Sequence, residues 1–242
     1  LLASSAASDV YKRQALEFEK MGISLVIGPV FYKNLLFLDE VKSVTFLSLT
    51  NKTLDLHKNI ISSGINSSSQ LNTIKKFLEE SEIKKTIFLI PNLNYDLEIK
   101  KGIKESKVKF FKQYKYDIDP TKLTKQIEKI TNYGIRKQNL LDEISRVENS
   151  DDPNKEKIIE NLEKKYTLGN VKFDSVIIAD FDESLKSVVT SLLYTDVSPK
   201  NKYVITLNQW FDESLLKEKN LQPIYYPCLL YTSDAADEAR SV

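Results

Sequence analysis

The sequence predicts an α/β fold in which parallel sheets are covered by helices on both faces. Short runs rich in β-branched residues alternate along the chain with amphipathic stretches, a pattern typical of strands joined by crossover helices. Most of these runs are continuously apolar, as expected for parallel strands that are buried on both faces. In residues 107–116, by contrast, apolar side chains alternate with lysines, and this pattern predicts a strand at the edge of a sheet.

Six strands and four helices follow from these patterns. The predicted strands are residues 23–30, 44–49, 85–90, 107–116, 174–179 and 203–207, and the predicted helices are residues 34–42, 69–81, 95–104 and 182–194. Helix 69–81 has a clear start, because Ser68 or Ser69 can cap it before the apolar residues Leu71 and Ile74. The Gly-, Asn- and Ser-rich residues 64–69 are the predicted crossing between two lobes.

Residues 121–166 interrupt the alternation of strand and helix. This segment is highly charged, has apolar residues at helical spacing on both sides of Pro153, and predicts a helical hairpin that turns at this proline. Two interpretations stay open at this point. The hairpin is either a solvated arm packed on its own lobe or an arm that docks a partner protein.

Both ends of the chain are expected to be foreign to the natural protein. Residues 4–14 (SSAASDVYKRQ) and 228–238 (CLLYTSDAADE) can be encoded by the two strands of one DNA sequence, read out of frame with each other. That DNA resembles the transposase adaptor used to prepare sequencing libraries. Residues 1–14 and 228–242 are therefore expected to be translated adaptor, and residues 15–227 the natural sequence, cut at both sides.

Composition excludes several classes of function. The single cysteine, Cys228, lies in the expected adaptor, so the remainder has neither a disulfide framework nor a thiolate metal site. The chain carries 35 basic and 34 acidic residues, a balance that implies neither a nucleic acid nor a membrane surface as partner. Its longest apolar runs are far below the roughly 18 residues that a transmembrane segment needs.

The carboxylates after strand 174–179 give the clearest enzymatic alternative. Asp180 and Asp182 stand two residues apart, as in Mg²⁺-dependent phosphatases of the haloacid-dehalogenase type. The later Ser/Thr, Lys and acidic pair of that chemistry are missing in the required chain order, which favours Asp182 as a helix cap. His57 is the sole histidine, so catalytic triads and histidine metal sites are not expected, and neither glycine-rich phosphate loops nor the GxSxG motif occur.

Several segments resemble type I periplasmic binding proteins, the leucine-binding family. Residues 22–31 (GISLVIGPVF), 44–51 (VTFLSLTN) and 61–64 (ISSG) are similar to the first lobe, and residues 86–92 (TIFLIPN) with Tyr95 to the opening of the second. Within that superfamily the chain is most similar to penicillin-binding protein activators. This similarity involves Arg136, the helical insertion and, in chain order, residues 167–169 (TLG), 173–180 (FDSVIIAD), 192–197 (LLYTDV) and 208–210 (NQW).

The resemblance implies an incomplete Venus-flytrap fold of two Rossmann-like lobes. Residues 15–66 would form part of the first lobe, 67–221 the second lobe with insertion 121–166, and 222–227 a return toward the first. It further implies a non-enzymatic periplasmic protein without a cofactor or metal, which is anchored to the envelope by a lipid and contacts a peptidoglycan synthase. The alternative is a solute receptor that serves an ABC permease for amino acids or other small molecules.

The expected ligand cleft lies beyond the carboxyl ends of the strands. Amino-acid receptors of the family place small residues after their first strands, whereas this chain has bulky side chains there and Lys52 after the second strand. These side chains predict a cleft that is filled or that binds something other than a free amino acid. The cleft positions are Phe31, Tyr32, Lys33, Thr50, Asn51, Asn92, Tyr95, Asp180, Phe181 and Trp210.

Overall fold

A computed structural model describes residues 2–93, 96–180, 182–207 and 217–227, and shows two compact units. The first unit comprises Leu1–Lys75 and Leu93–Val108, and the second comprises Lys76–Asn92 and Lys109–Val242. This division differs from the predicted boundary between residues 66 and 67. Helix α3 (Ser67–Glu80) extends through both units, and α4 (Asp96–Ser106), although it follows a strand of the second unit, belongs to the first.

The first unit is built on a parallel sheet of three strands in the order β1-β2-β3. These strands are Leu25–Ile27, Thr45–Ser48 and Ile60–Ser62, and the helices of this unit besides α3 and α4 are α1 (Leu2–Lys20) and α2 (Tyr32–Leu35). One face of the sheet is buried with residues of α1, α2 and the following loop. Its core consists of Ala15, Leu35, Leu38, Val41, Val44, Phe46 and Ile60.

The opposite face of this sheet departs from the prediction of helices on both faces. Paired residues of parallel strands point to the same side, so Ile27 and Ile61 share a face through their common partner Leu47. Ile27 is 76% exposed and Ile61 53% exposed, and Leu25 and Leu49 are exposed as well. Among the described residues, helices therefore cover only one face of the three-stranded sheet.

The second unit contains a parallel sheet of five strands in the order β5-β4-β6-β7-β8. The central strands β4 (Thr86–Pro91) and β6 (Ser175–Ile178) are buried along their whole length, as continuous apolar runs predict. Strand β5 (Lys112–Tyr116) lies at the edge, which confirms the interpretation of its alternating pattern. The other strands are β7 (Tyr203–Thr206) and β8 (Ile224–Tyr225), and a 3-10 helix (Lys219–Leu221) precedes β8.

The region predicted as one helical hairpin contains three helices. They are α5 (Pro120–Ile130), α6 (Tyr133–Glu148) and α7 (Lys155–Glu163), followed by α8 (Asp182–Tyr194) beyond β6. Leu123 and Ile127 of α5 belong to the main core of the second unit, so α5 is an ordinary layer of the fold. The hairpin is limited to α6 and α7, which share a separate small cluster of Leu140, Val147 and Leu162.

Other predictions differ from the structure at the ends of elements. Strands β3 and β8 were not predicted, and the predicted helix 34–42 is reduced to α2 and a loop. Residues 222–227, expected to return toward the first lobe, instead contain β8, which pairs with β7 in the second unit. The predicted adaptor origin of residues 1–14 stays a prediction. Within the described chain, no helix combines the length and the hydropathy needed to cross a membrane.

Candidate functional site

In the first unit, the loops that follow the three parallel strands are joined by serine side chains. Ser48 Oγ donates to Pro29 O at 2.6 Å, and Ser62 Oγ donates to Thr50 O at 2.6 Å. A Cβ atom on Gly64 would lie 2.3 Å from Thr50 O, so glycine is required for this close approach of two backbones. The carboxyl ends of β1, β2 and β3 are thereby held as one rigid edge.

A carboxylate of the chain itself occupies the donors of the loop between β2 and β3. Glu98 Oε1 accepts from the backbone N–H groups of Thr53 at 2.5 Å and Leu54 at 2.9 Å. Glu98 Oε2 accepts from Thr53 Oγ1 at 3.1 Å. Two backbone amides and one hydroxyl that converge on a carboxylate make an anion site, and here the anion is supplied by α4.

Two lysines and one tyrosine complete this site. Lys101 Nζ, one turn after Glu98 on α4, donates to Thr53 O at 2.6 Å. Tyr32 OH donates to Leu54 O at 2.6 Å, and Lys52 Nζ lies 5.3 Å from the centroid of the Tyr32 ring. Burial, and then the nearby carboxylates of Asp55 and Glu98, raise the pKa of the Tyr32 phenol. The phenol is therefore kept protonated as a donor.

Gly102 explains why α4 can bring Glu98 to this loop. A Cβ atom on Gly102 would lie 2.8 Å from Ser67 Cβ and 3.0 Å from Ser68 N, so α4 packs directly on the start of α3. Residues three and four apart lie on the same side of a helix, so Glu98, Lys101 and Gly102 face the same way. A small residue at 102 thus sets the distance between α4 and the residues that Glu98 binds.

In the second unit, the corresponding strand ends are organised around Asp180. Its side chain is 3% exposed, and its Oδ2 accepts from Tyr116 OH at 2.5 Å and from Ser184 Oγ at 2.5 Å. Thr206 Oγ1 donates to Asp180 O at 3.1 Å, and Asn92 N donates to Tyr116 O at 2.9 Å. The carboxylate thus links Tyr116 of β5 to Ser184 of α8, and the backbone carbonyl of the same residue binds Thr206 of β7.

This geometry bears on the phosphatase hypothesis. The carboxylate of Asp180 is bonded to two hydroxyl groups, while Asp182 is exposed and begins α8 with a φ of 51°. The sequence predicted Asp182 as the cap of this helix. In the structure it is Asp180 that contacts the first turn of α8, by accepting a hydrogen bond from Ser184 Oγ. Over the described ranges, no cluster of three or more His, Cys, Asp or Glu side chains is arranged to hold a metal ion.

The ten predicted cleft residues divide into three groups. Phe31, Tyr32, Lys33, Thr50 and Asn51 all lie at the strand ends of the first unit; Tyr32 is half-buried and Thr50 buried, while Phe31, Lys33 and Asn51 are exposed. Asn92 and Asp180 lie at the strand ends of the second unit. The third group, Tyr95, Phe181 and Trp210, falls outside the described residues.

Sequence reasoning missed Glu98 and Lys101, which make the direct contacts to the β2–β3 loop. Both lie in a helix rich in lysine and glutamate, and Thr53 is 45 residues away from Glu98. Nothing local distinguishes this glutamate from a solvated one. The one available signal was the spacing of Glu98, Lys101 and Gly102, because a glycine inside a helix frequently marks a close packing contact.

Comparisons with known proteins support the fold. No protein-family model matches the chain, and neither does any curated protein. Among solved structures, full-length LpoA from Haemophilus influenzae is 9% identical, has a TM-score of 0.53, and matches over 87% of this chain and 33% of its own. An ABC transporter substrate-binding protein from Desulfitobacterium hafniense is 11% identical, has a TM-score of 0.53, and matches over 87% of this chain and 52% of its own.

A third similar structure is a single domain of LpoA. The C-domain of LpoA from Haemophilus influenzae, described as a regulator of PBP1A, is 10% identical, with a TM-score of 0.48 over 81% of this chain and 51% of its own. The chain thus spans about a third to a half of the matched structures. It has the fold of type I periplasmic binding proteins, as its sequence predicted.

Proposed function

We propose that this chain belongs to a non-enzymatic protein of the bacterial envelope that regulates a peptidoglycan synthase by direct contact. The periplasm is the proposed location, with a lipid anchor as the means of attachment. The observation that carries the proposal is the occupation of the β2–β3 loop by Glu98. A loop whose backbone donors already bind a carboxylate of the chain offers little to a free amino acid.

The energetics of small-ligand binding support this proposal. Micromolar affinity requires about 8 kcal/mol, which a small ligand obtains from a few well-placed polar groups in a concave site. In the first unit those polar groups are bonded to Glu98, Lys101 and Tyr32. A ligand would have to displace these contacts before gaining its own.

The α6–α7 hairpin supplies a surface for a protein partner. Ile135 is 65% exposed and Leu141 is 50% exposed on α6, whereas Leu140 and Val147 of the same helix are buried against α7. Exposed apolar side chains are common in protein interfaces. LpoA, which this chain resembles in fold, is described as a regulator of PBP1A, and that description fits a protein as the partner.

Two measurements test the proposal with the whole chain. In the first, isothermal titration against the twenty amino acids is expected to give no binding at micromolar concentration. In the second, surface plasmon resonance against a peptidoglycan synthase of the source bacterium is expected to give saturable binding. The double variant Ile135→Glu/Leu141→Glu should weaken this binding at least tenfold, since two buried apolar contacts contribute about 1.5–3 kcal/mol each.

The matched control is Lys137→Glu, an exposed position on the same helix that also gains negative charge. Binding of the synthase that is unchanged in the double variant would contradict the hairpin as the contact surface. Absence of synthase binding together with micromolar binding of an amino acid would instead favour the second candidate. That candidate, a solute receptor of an ABC importer, is supported by the likeness to the substrate-binding protein from Desulfitobacterium hafniense.

A further inference from the structure

The β2–β3 loop has the geometry of a carboxylate-binding site that carries its own ligand. The N–H groups of Thr53 and Leu54 converge on a single oxygen of Glu98, and the hydroxyl of Thr53 reaches the other oxygen. Both oxygens of one carboxylate are therefore bonded by donors from two adjacent residues. A carboxylate that receives several such bonds is strongly held, because each hydrogen bond to its negative charge is charge-assisted.

The surroundings of this loop are suited to a negative charge. Lys101 is fixed beside it through its bond to Thr53 O, and Lys52 is held over the Tyr32 ring. The donors are positioned by bonds other than those to Glu98, since Tyr32 OH holds Leu54 O and Lys101 holds Thr53 O.

We infer that this loop is a site for small carboxylates and that Glu98 acts as its built-in occupant. The site is closed to free carboxylates in the wild-type chain and accepts them when the Glu98 side chain is removed. Truncation of Glu98 to alanine leaves three donors facing a space about the size of acetate. This inference concerns the loop alone and holds whether or not the chain contacts a peptidoglycan synthase.

Chemical rescue tests the inference. We expect Glu98→Ala in the whole chain to lower the melting temperature, and added sodium acetate or formate to restore it in a saturable manner. For a Kd of about 10 mM, 100 mM acetate should shift the unfolding equilibrium about tenfold toward the folded state. The amide resonances of Thr53 and Leu54 should move along the same titration curve, which places the anion at the loop.

Three controls make the result specific. Sodium chloride at the same ionic strength should not rescue Glu98→Ala. Glu98→Gln loses the same charge but leaves no space, so acetate should not stabilise it. Glu105→Ala, at an exposed position of the same helix, should behave like the wild-type chain in acetate.

Each outcome decides the inference. Saturable rescue by acetate and formate but not chloride supports it, including the case in which Glu98→Ala folds only when acetate is present. Failure of both anions to stabilise or refold Glu98→Ala, while Glu98→Gln remains folded, overturns it. Equal stabilisation of all four proteins by acetate overturns it too, because that result describes a general salt effect. None of these outcomes depends on a synthase or on an amino-acid ligand.

Discussion

Removal of the Arg136 guanidinium should destabilise the attachment of the α6–α7 hairpin. Arg136 is 5% exposed; its Nε donates to Thr131 O at 3.0 Å and its Nη1 to Thr167 Oγ1 at 3.0 Å. Its Nη2 donates to Thr195 O, at the end of α8. One side chain therefore joins the end of α5, the segment after α7 and the end of α8.

The expected magnitude follows from these three bonds. Hydrogen bonds to a charged group contribute about 1.5–3 kcal/mol each, but the buried charge also has a desolvation cost. Burial lowers the pKa of the guanidinium, while Asp196, bonded to Thr167 Oγ1 at 2.6 Å, acts in the opposite direction. We expect Arg136→Met, which keeps the volume and leaves three acceptors unpaired, to lose about 3–5 kcal/mol.

Urea denaturation followed by circular dichroism measures this loss. Lys137→Met, at the exposed neighbouring position, is the matched control and should stay within about 0.5 kcal/mol of the wild-type chain. Arg136→Lys should lose nearly as much as the methionine variant, since one ammonium group cannot reach three separated acceptors. A loss below about 1 kcal/mol in Arg136→Met would refute the reasoning that the guanidinium holds these segments together.

Three further predictions concern the first unit. Gly102→Ala should lower the free energy of unfolding by about 1–2 kcal/mol and speed amide exchange at Thr53, because overpacking against Ser67 exceeds the gain in helix propensity; slower exchange would contradict this. Gln70→Met should raise the melting temperature, since the buried Gln70 Oε1 has no hydrogen-bond partner in the described chain and such a group costs about 1–3 kcal/mol; a lower melting temperature would count against it. Tyr32→Phe should cost about 1 kcal/mol at neutral pH by removing the bond to Leu54 O. Because the folded-state pKa of Tyr32 is raised, its contribution is complete below pH 10 and declines above it, so the difference between the two proteins in pH-dependent denaturation should shrink there; a constant or growing difference would reject the assignment.

The central strands were predictable because a strand that is buried on both faces appears in the sequence as a continuous apolar run. Residues 86–91 are apolar or small throughout, and the whole of β4 is buried. The edge position of β5 followed from its lysines for the same reason. Strands β3 and β8 have three and two residues, too few to show a period, and their pairing is set by neighbours distant in sequence.

The candidate site was predictable in its location but not in its contacts. Parallel strands bring their carboxyl ends to one edge, so Tyr32 and Thr50 could be assigned to the same end of a sheet from the strand pattern alone. The sequence analysis included Tyr32 and Lys52 among the bulky side chains that it predicted to fill this place. It could not name Glu98, whose role depends on the packing of α4 through Gly102 rather than on its own sequence neighbours.

The two units share one chemical arrangement at their strand ends, and it bears on what the protein can do. In the first unit Glu98 joins α4 to the β2–β3 loop, and in the second unit Asp180, which follows β6, joins β5 to α8. A carboxylate used in this way can serve as a base or a metal ligand only by giving up bonds that hold the fold together. Its removal leaves hydroxyl and amide donors without their acceptor, at about 1–3 kcal/mol for each. Selection for a reactive or open site would work against that arrangement, whereas selection for a rigid binding surface would favour it. The strand ends of both units are therefore best understood as structural supports, and the recognition chemistry is expected on exposed surfaces such as α6.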